Sequence, residues 1–142
     1  FCRKDFCKNE SGRNCRRSSN GFFWTYWRKA SRYWSSSFGR RNCYAVSAGF
    51  PKEEQFGLTS QIRRCAISIP SNISEGFGRG TNKDYYRFLT IFLGTLFEFQ
   101  TQVEIAYNLK YITLENFNTL YEDSRELERM LTSFMNKIKQ TL

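Results

Sequence analysis

The chain lacks residues on which most catalytic sites and most hydrophobic cores depend. Its first 45 residues contain no leucine, isoleucine, valine or methionine, and none of the 142 residues is histidine. Without histidine, general acid–base catalysis would fall to carboxylates, lysine, tyrosine or cysteine. The acidic residues are instead scattered among lysines and arginines, as solvated charges are. The sequence also offers no general base that would activate a serine as a nucleophile. The sequence therefore predicts a protein that is not an enzyme.

Long hydrophobic runs are also missing. The longest apolar stretch, near Ile91 to Leu93, is far shorter than the roughly 20 residues that span a bilayer. The first 20 residues lack the apolar centre of a secretory signal. We therefore expect a soluble, cytoplasmic protein with no membrane partner.

Cysteine occurs five times, an odd number that excludes a complete disulfide framework within one chain. The cysteines are Cys2, Cys7, Cys15, Cys43 and Cys65. A zinc site from the first four is the alternative, but the chain offers neither a Cys-x2-Cys pair nor a histidine to build it. We expect free thiols in a reducing compartment, with no metal and no cofactor, and Cys65 as a small core residue.

The charge divides the chain into two unlike parts. Residues 1–50 hold 11 basic and two acidic residues, whereas residues 51–142 hold 11 of each. A positive excess normally indicates a nucleic acid or an anionic membrane as partner, but here it lies on the part least suited to form a core. We therefore predict an atypical basic, aromatic N-terminal segment, residues 1–43, and a helical domain, residues 44–142.

Apolar residues in the second part recur every three or four positions over three stretches, which is the spacing of one helix face. The three stripes are Leu58, Ile62, Cys65, Ala66, Ile69, Ile73 and Phe77; Phe88, Phe92, Thr95, Leu96, Phe99, Val103, Ala106 and Leu109; and Leu114, Phe117, Leu120, Tyr121, Leu127, Leu131, Phe134 and Ile138. Thr81 or Asn82 is predicted to begin the second helix, and Thr113 to cap the third. Short links between long amphipathic helices predict antiparallel neighbours, the up-down arrangement of a helical bundle.

Proline and glycine mark the expected irregularities of these helices. Pro51, followed by two glutamates, suits a helix start, and Pro70 predicts a kink or a short break. The alternating glycines from Gly76 to Gly80 could wrap a phosphate, but no strand precedes them, so we favour a turn that ends a helix. Gly94, in the middle of a long helix, predicts a notch that lets a neighbouring backbone come close.

A specific resemblance is carried by residues 50–76, which read FPKEEQFGLTSQIRRCAISIPSNISEG. Residues 85–89, 94–96, 98 and 101–102 continue it. Over residues 44–140 the chain resembles the four helix bundle protein family, named for reading frames in intervening sequences of 23S ribosomal RNA genes. The resemblance implies a four-helix bundle, commonly assembled into a pentameric ring, with no established enzymatic activity. It also implies kinship with accessory partners of the reverse transcriptase, and its RNA, in diversity-generating retroelements.

The N-terminal segment departs from the family pattern. Tyr44 sits correctly, but the Trp-x-Lys-Ala-like start at residues 27–30 lies too far upstream, and the expected aliphatic stripe is absent. One hypothesis is that residues 1–43 come from a shifted reading frame or a damaged gene. It is wrong if neither alternative frame of the coding DNA encodes a Leu/Val-rich amphipathic helix.

Two structural alternatives for that segment also stay open: a disordered tail, or a helix with an aromatic face. The residues at helical spacing on that face are Phe23, Trp27, Ala30, Trp34 and Phe38. The predicted fold class is thus an all-α, up-down four-helix bundle whose first helix is degraded or atypical.

The first predicted function is a non-enzymatic, homo-oligomeric scaffold that binds RNA or a nucleoprotein partner such as a reverse transcriptase. Its candidate nucleic-acid contacts lie at and beside one helix junction, where arginine forks would suit phosphates. They are Arg63, Arg64, Arg79, Lys83 and Arg87. The alternative for these residues is that they are solvated positions that balance nearby acids.

The second predicted function is a protein–protein interaction module with no direct nucleic-acid contact. Aromatic residues off the predicted stripes would then form subunit contacts, as aromatic enrichment at interfaces allows. Tyr85, Phe97 and Tyr107 are the candidates. A third hypothesis is that the N-terminal segment itself binds single strands by stacking and charge.

Overall fold

The structure is a computed structural model that describes residues 25, 28–30, 32–34, 39–79, 81–140 and 142. Four α-helices follow one another: α1 (Gly39–Ser47), α2 (Leu58–Gly78), α3 (Asn82–Asn108) and α4 (Leu114–Lys139), with a 3-10 turn at Lys52–Glu54. Residues 28–30 and 32–34, upstream of α1, are helical as well. Over these described ranges all regular secondary structure is helical, which confirms the all-α prediction.

Neighbouring helices run antiparallel. Trp34, before α1, contacts Ala66 of α2, and Cys43, further along the chain in α1, contacts Ile62. The residue number of the partner in α2 therefore decreases as the chain proceeds, as it does between antiparallel helices. In the same way α2 meets α3 through Arg64 and Glu98 near one end and through Gly76 and Phe88 near the other. Helix α4 returns along α3, with Tyr107 beside Phe117 and Tyr85 beside Phe134. These contacts confirm the up-down bundle.

The N-terminal segment contributes to the core. Ala30, Trp34 and Cys43 are 3%, 0% and 0% exposed, and the Trp34 ring meets the Phe99 ring edge-on at 5.2 Å. Of the two structural alternatives, the described residues therefore support the helix with an aromatic face. Phe23, Trp27 and Phe38 of that face lie outside the described residues, and the shifted-frame hypothesis stays a prediction.

Pro70 explains why a tryptophan fits at position 34. Proline has no backbone N–H, so the carbonyl four residues earlier, that of Ala66, loses its donor within the helix. Ala66 is fully buried, and an unpaired buried carbonyl is costly. The indole Nε1–H of Trp34 donates to this carbonyl at 2.9 Å. Of the kink or short break expected at Pro70, the break is wrong, because α2 runs unbroken from Leu58 to Gly78, and the kink stays a prediction.

The helix ends agree with the sequence in part. The Thr81 hydroxyl accepts from the Asp84 N–H and the Thr113 hydroxyl from the Asn116 N–H, so both predicted caps are confirmed. Helix α2 ends at Gly78, as the glycine run indicated. Its start differs, because Pro51 opens only a 3-10 turn, and α2 begins at Leu58, whose N–H donates to the Glu54 carboxylate at 2.9 Å.

The buried face of α3 includes five of the eight predicted positions, Phe92, Leu96, Phe99, Val103 and Ala106, but it is wider than the predicted stripe. Tyr85 and Leu89 are buried, whereas Phe88 and Thr95 are half-buried and Leu109 is exposed. A helix packed between two neighbours buries a wider arc than one stripe. Leu114, predicted on the stripe of α4, is also exposed because it lies in the first turn.

The close helix approach occurs at Gly76 and not at Gly94. A Cβ atom on Gly76 would lie 2.6 Å from the Phe88 Cβ and 2.9 Å from the Tyr85 Cδ2. A Cβ on Gly94 would meet nothing within 4 Å, and Gly94 is exposed. The notch predicted at Gly94 is therefore wrong within this chain. Among the glycines that the structure describes, Gly76 is the one whose missing side chain allows α3 to pack against α2.

Candidate nucleic-acid interface and outer face of helix α3

The junction between α2 and α3 brings three of the five candidate basic residues near one another. Arg79 is the C-terminal cap of α2, and Lys83 and Arg87 lie one turn apart on the exposed side of α3. The Arg79 guanidinium pairs with Glu75 at 2.6 Å and lies over the Phe88 ring at 5.2 Å. Within the described part of the chain, Lys83 and Arg87 have no ion-pair partner.

Arg63 and Arg64 lie elsewhere. Arg64 is about 22 Å from Arg79 along α2, at the helical rise of roughly 1.5 Å per residue. The half-buried Arg63 donates through Nε to the Ser47 hydroxyl at 2.8 Å and covers the Tyr44 ring at 5.1 Å, which ties α2 to α1. Arg64 pairs with Glu98 at 3.4 Å and is exposed. The sequence thus groups residues that the structure places in two regions.

The junction can bind phosphates by charge without any catalytic chemistry. Lys83 and Arg87 can offer their donors to a phosphodiester without first breaking an ion pair. Arg79 would have to exchange Glu75 for a phosphate, although an exposed pair of this kind is weak. In the sequence, this group is indicated by the basic residues just before and just after the glycine-rich turn.

The exposed side of α3 beyond this junction carries large apolar residues among polar ones, which are Thr90, Glu98, Thr101, Glu104 and Asn108. We define the outer face of α3 as Ile91, Gly94, Phe97 and Ile105. Ile91, Phe97 and Ile105 are 46%, 48% and 42% exposed, and Gly94 leaves open space between them. The sequence singles out Phe97 and Gly94 of this set, but not Ile91 or Ile105, which are common residues in any helix. Their signal was apolar character at helical spacing opposite the buried face.

Tyr85 and Tyr107, the other two aromatic candidates, do not form an exposed apolar surface like the outer face of α3. Tyr85 is only 5% exposed and lies between the rings of Phe77, at 6.3 Å, and Phe134, at 5.6 Å. Its predicted role in a subunit interface is wrong, because the space at Gly76 lets it enter the core. Tyr107 is half-buried between α3 and α4, tilted against Phe117 at 4.8 Å.

Chemistry of the described cysteines is suppressed by burial. Burial raises the pKa of the Cys43 thiol to about 12, and burial together with the nearby Glu98 carboxylate raises that of Cys65 to about 11. Both thiols are free, and within the described ranges no group of three or more Cys, Asp and Glu side chains could hold a metal ion. Cys2, Cys7 and Cys15 lie outside those ranges.

These raised pKa values predict a loss of stability in alkali. Well below pH 9 both thiols are protonated in the folded and in the unfolded chain, so their titration does not lower the free energy of unfolding. Above that pH the unfolded chain releases protons that the folded chain keeps, so the free energy of unfolding falls until the folded pKa values near 11 and 12 are passed. The limit is about 1.4 kcal/mol per pH unit for each group.

Urea unfolding at pH 8, 9.5 and 10.5 measures this fall. Cys43→Ala should make it shallower, because one of the groups is removed. Equal slopes for the variant and the wild type would show that Cys43 is not the buried thiol responsible.

A groove of about 470 Å³ lies beside the N-terminal segment, lined by Thr25, Arg28, Lys29, Arg32 and Tyr33. The pKa of Tyr33 is raised by partial burial and by the carboxylates of Asp123 and Glu126. Because Asp123 and Glu126 belong to α4, their effect on Tyr33 shows that α4 lies beside the N-terminal segment. Most of the residues in the single-strand hypothesis lie outside the described ranges.

Comparison with known proteins identifies the family. The family profile described as 23S rRNA-intervening sequence protein matches residues 29–133, about three quarters of the chain. The chain belongs to this family. The 23S rRNA-intervening sequence protein match begins at Lys29, so Ala30, Trp34 and Cys43 lie inside it, as do the five candidate basic residues. A search of curated proteins gives no match.

A solved structure supports the fold of this chain. It is the crystal structure of a protein of unknown function from the S23 ribosomal protein family of Bacteroides thetaiotaomicron. The two chains share 23% sequence identity with a TM-score of 0.69, over 78% of this chain and 98% of that one. No helix in the described part of the present chain is long and apolar enough to cross a membrane.

Proposed function

We propose that this protein is a non-enzymatic, cytoplasmic scaffold that assembles with further copies of itself through the outer face of α3. The observation that carries the proposal is the apolar character of that face, with Phe97 beside the open space at Gly94. A glycine flanked by large apolar side chains offers a site into which a neighbouring helix can pack. Burying exposed apolar surface supplies the driving force for such association. The family resemblance implies a ring of five.

Phe97→Asp is expected to dissociate the assembly, since each contact would then bury a charge. Light scattering after size-exclusion chromatography should give a multiple of 16.9 kDa for the wild type and a much lower mass for the variant. Phe56→Asp is the matched control, because Phe56 is 88% exposed and does not belong to α3. The proposal fails if the wild type is a monomer, or if Phe97→Asp and Phe56→Asp have the same mass.

RNA binding at the α2–α3 junction is the second candidate function. The specific observation in its favour is that Lys83 and Arg87 are exposed and lack ion-pair partners among the described residues, while Arg79 lies alongside. Sequence-independent binding of this kind depends on the release of counterions from the phosphates. A pure protein–protein module would not show that dependence.

Lys83→Gln with Arg87→Gln should weaken RNA binding and reduce the slope of log affinity against log salt by about 1.4, at roughly 0.7 per single-strand contact. Binding of a labelled single-stranded RNA over a range of salt concentrations measures both. Arg63→Gln with Arg64→Gln removes the same charge from the other region. If that pair changes the slope and the junction pair does not, the junction is not the binding site.

A further inference from the structure

Three helices meet at the end of the bundle that carries the α2–α3 junction. The Tyr85 ring of α3 contacts Phe77 of α2 and Phe134 of α4. One turn beyond Phe134, Ile138 is fully buried. The last turn of α4 is therefore held against the first turns of α3, although the two are far apart in the sequence.

Positive charge collects at this end, which we call the basic end. Its cations are Arg79, Lys83, Arg87, Lys137 and Lys139, and its carboxylates are Glu75 and Asp84. The Asp84 carboxylate accepts from the Thr81 hydroxyl at 2.6 Å, and Glu75 pairs with Arg79. Lys137 and Lys139 are both exposed. Cations outnumber carboxylates here by three.

The opposite end of the bundle has the reverse balance. The hydrogen bond from the Tyr111 hydroxyl to Glu54, at 3.4 Å, places the α3–α4 link beside the 3-10 turn. The charged residues at that end are Lys52, Glu53, Glu54, Arg63, Glu104, Lys110 and Glu115. Carboxylates outnumber cations there by one. Residues 51–142 are neutral as a whole, so the zero net charge conceals a separation of charge along the bundle.

We infer that Lys137 and Lys139 of α4 complete a phosphate-binding surface with Lys83 and Arg87, so that an RNA backbone runs across the basic end from α3 to α4. The inference rests on the RNA binding proposed above. Cations on two packed helices can contact more of the adjacent phosphates of one strand than a single pair of cations on one helix can. A surface with a local positive excess also attracts RNA electrostatically, whereas the opposite end repels it.

Lysines in the last turn of a helix also have a structural effect, because they interact favourably with the negative end of the helix dipole. That effect changes stability by at most about 1 kcal/mol and leaves the salt dependence of RNA binding unchanged. The salt slope therefore separates a binding role from a purely structural one.

The test is the binding of a labelled, mixed-sequence single-stranded RNA to Lys137→Gln/Lys139→Gln. We expect the affinity to fall by about tenfold and the salt slope by about 1.4, as for two lost phosphate contacts. Lys137→Arg/Lys139→Arg should keep the wild-type slope. Lys52→Gln/Lys110→Gln, which removes the same charge from the opposite end, should leave the affinity within about twofold of the wild type.

The outcomes separate this inference from the proposal beneath it. Equal effects of the Lys137/Lys139 and Lys52/Lys110 variants overturn the inference, because only net charge would then matter. A thermal shift without a change in slope overturns it as well. If the wild type binds no RNA at 50 mM salt, the RNA proposal itself fails, and the inference fails with it.

Discussion

Trp34→Ala is expected to destabilise the protein by about 3–5 kcal/mol, a large part of the 5–15 kcal/mol that holds a typical domain folded. The substitution removes a fully buried ring, its edge-on contact with Phe99 and the donor to the Ala66 carbonyl. No water can easily replace that donor, since Ala66 is completely buried. Urea unfolding followed by circular dichroism, at one fixed protein concentration, measures the change.

Phe56→Ala is the control for Trp34→Ala. Phe56 is 88% exposed, so losing its ring should change the free energy of unfolding by no more than about 0.5 kcal/mol. If both variants unfold at the wild-type urea concentration, the N-terminal segment does not pack as the structure shows. The three helices α2, α3 and α4 would then expose an apolar face, and any self-association would be nonspecific.

Gly76→Ala is expected to destabilise the protein by about 1–3 kcal/mol, even though alanine is the better helix former by about 1 kcal/mol. The added methyl would lie 2.6 Å from the Phe88 Cβ and 2.9 Å from the Tyr85 ring, too close for either to remain in place. Phe88 Cβ is fixed to the backbone of α3, so α3 itself would have to move. Thermal and urea unfolding should both shift downward.

Gly78→Ala gives the matched comparison in the same helix. A Cβ on Gly78 would meet nothing within 4 Å, so only the gain in helix propensity remains. We expect this variant to be as stable as the wild type or slightly more stable. A Gly76→Ala protein at least as stable as Gly78→Ala would contradict the close approach of α2 and α3.

Local features of the fold were readable from the sequence because they depend on neighbours in the chain. Thr81 and Thr113 cap helices through N–H groups three residues on, and the glycine turn ends α2. The role of Trp34 was not readable, because it depends on a carbonyl orphaned by Pro70 on another helix. The burial of Tyr85 is not readable from the sequence for the same reason, since the space that admits its ring comes from Gly76 on another helix.

The candidate site could also be predicted from the sequence only in part. Arg79, Lys83 and Arg87 could be grouped because a short turn joins α2 to α3. Lys137 and Lys139 were not grouped with them, although antiparallel helices of nearly equal length place the end of α4 beside the start of α3, as the contact of Tyr85 with Phe134 shows. Arg63 and Arg64 were grouped with the junction by sequence proximity, although the length of α2 separates them from it.

The N-terminal segment must be an integral part of the bundle if the outer face of α3 and the basic end are to be free for partners. A double-mutant cycle with Trp34→Phe and Pro70→Ala tests it directly. Pro70→Ala supplies a backbone N–H to the Ala66 carbonyl, so Trp34→Phe should cost about 1 kcal/mol less in that background than in the wild type. A coupling energy of zero would show that Trp34 does not satisfy the carbonyl that Pro70 leaves open.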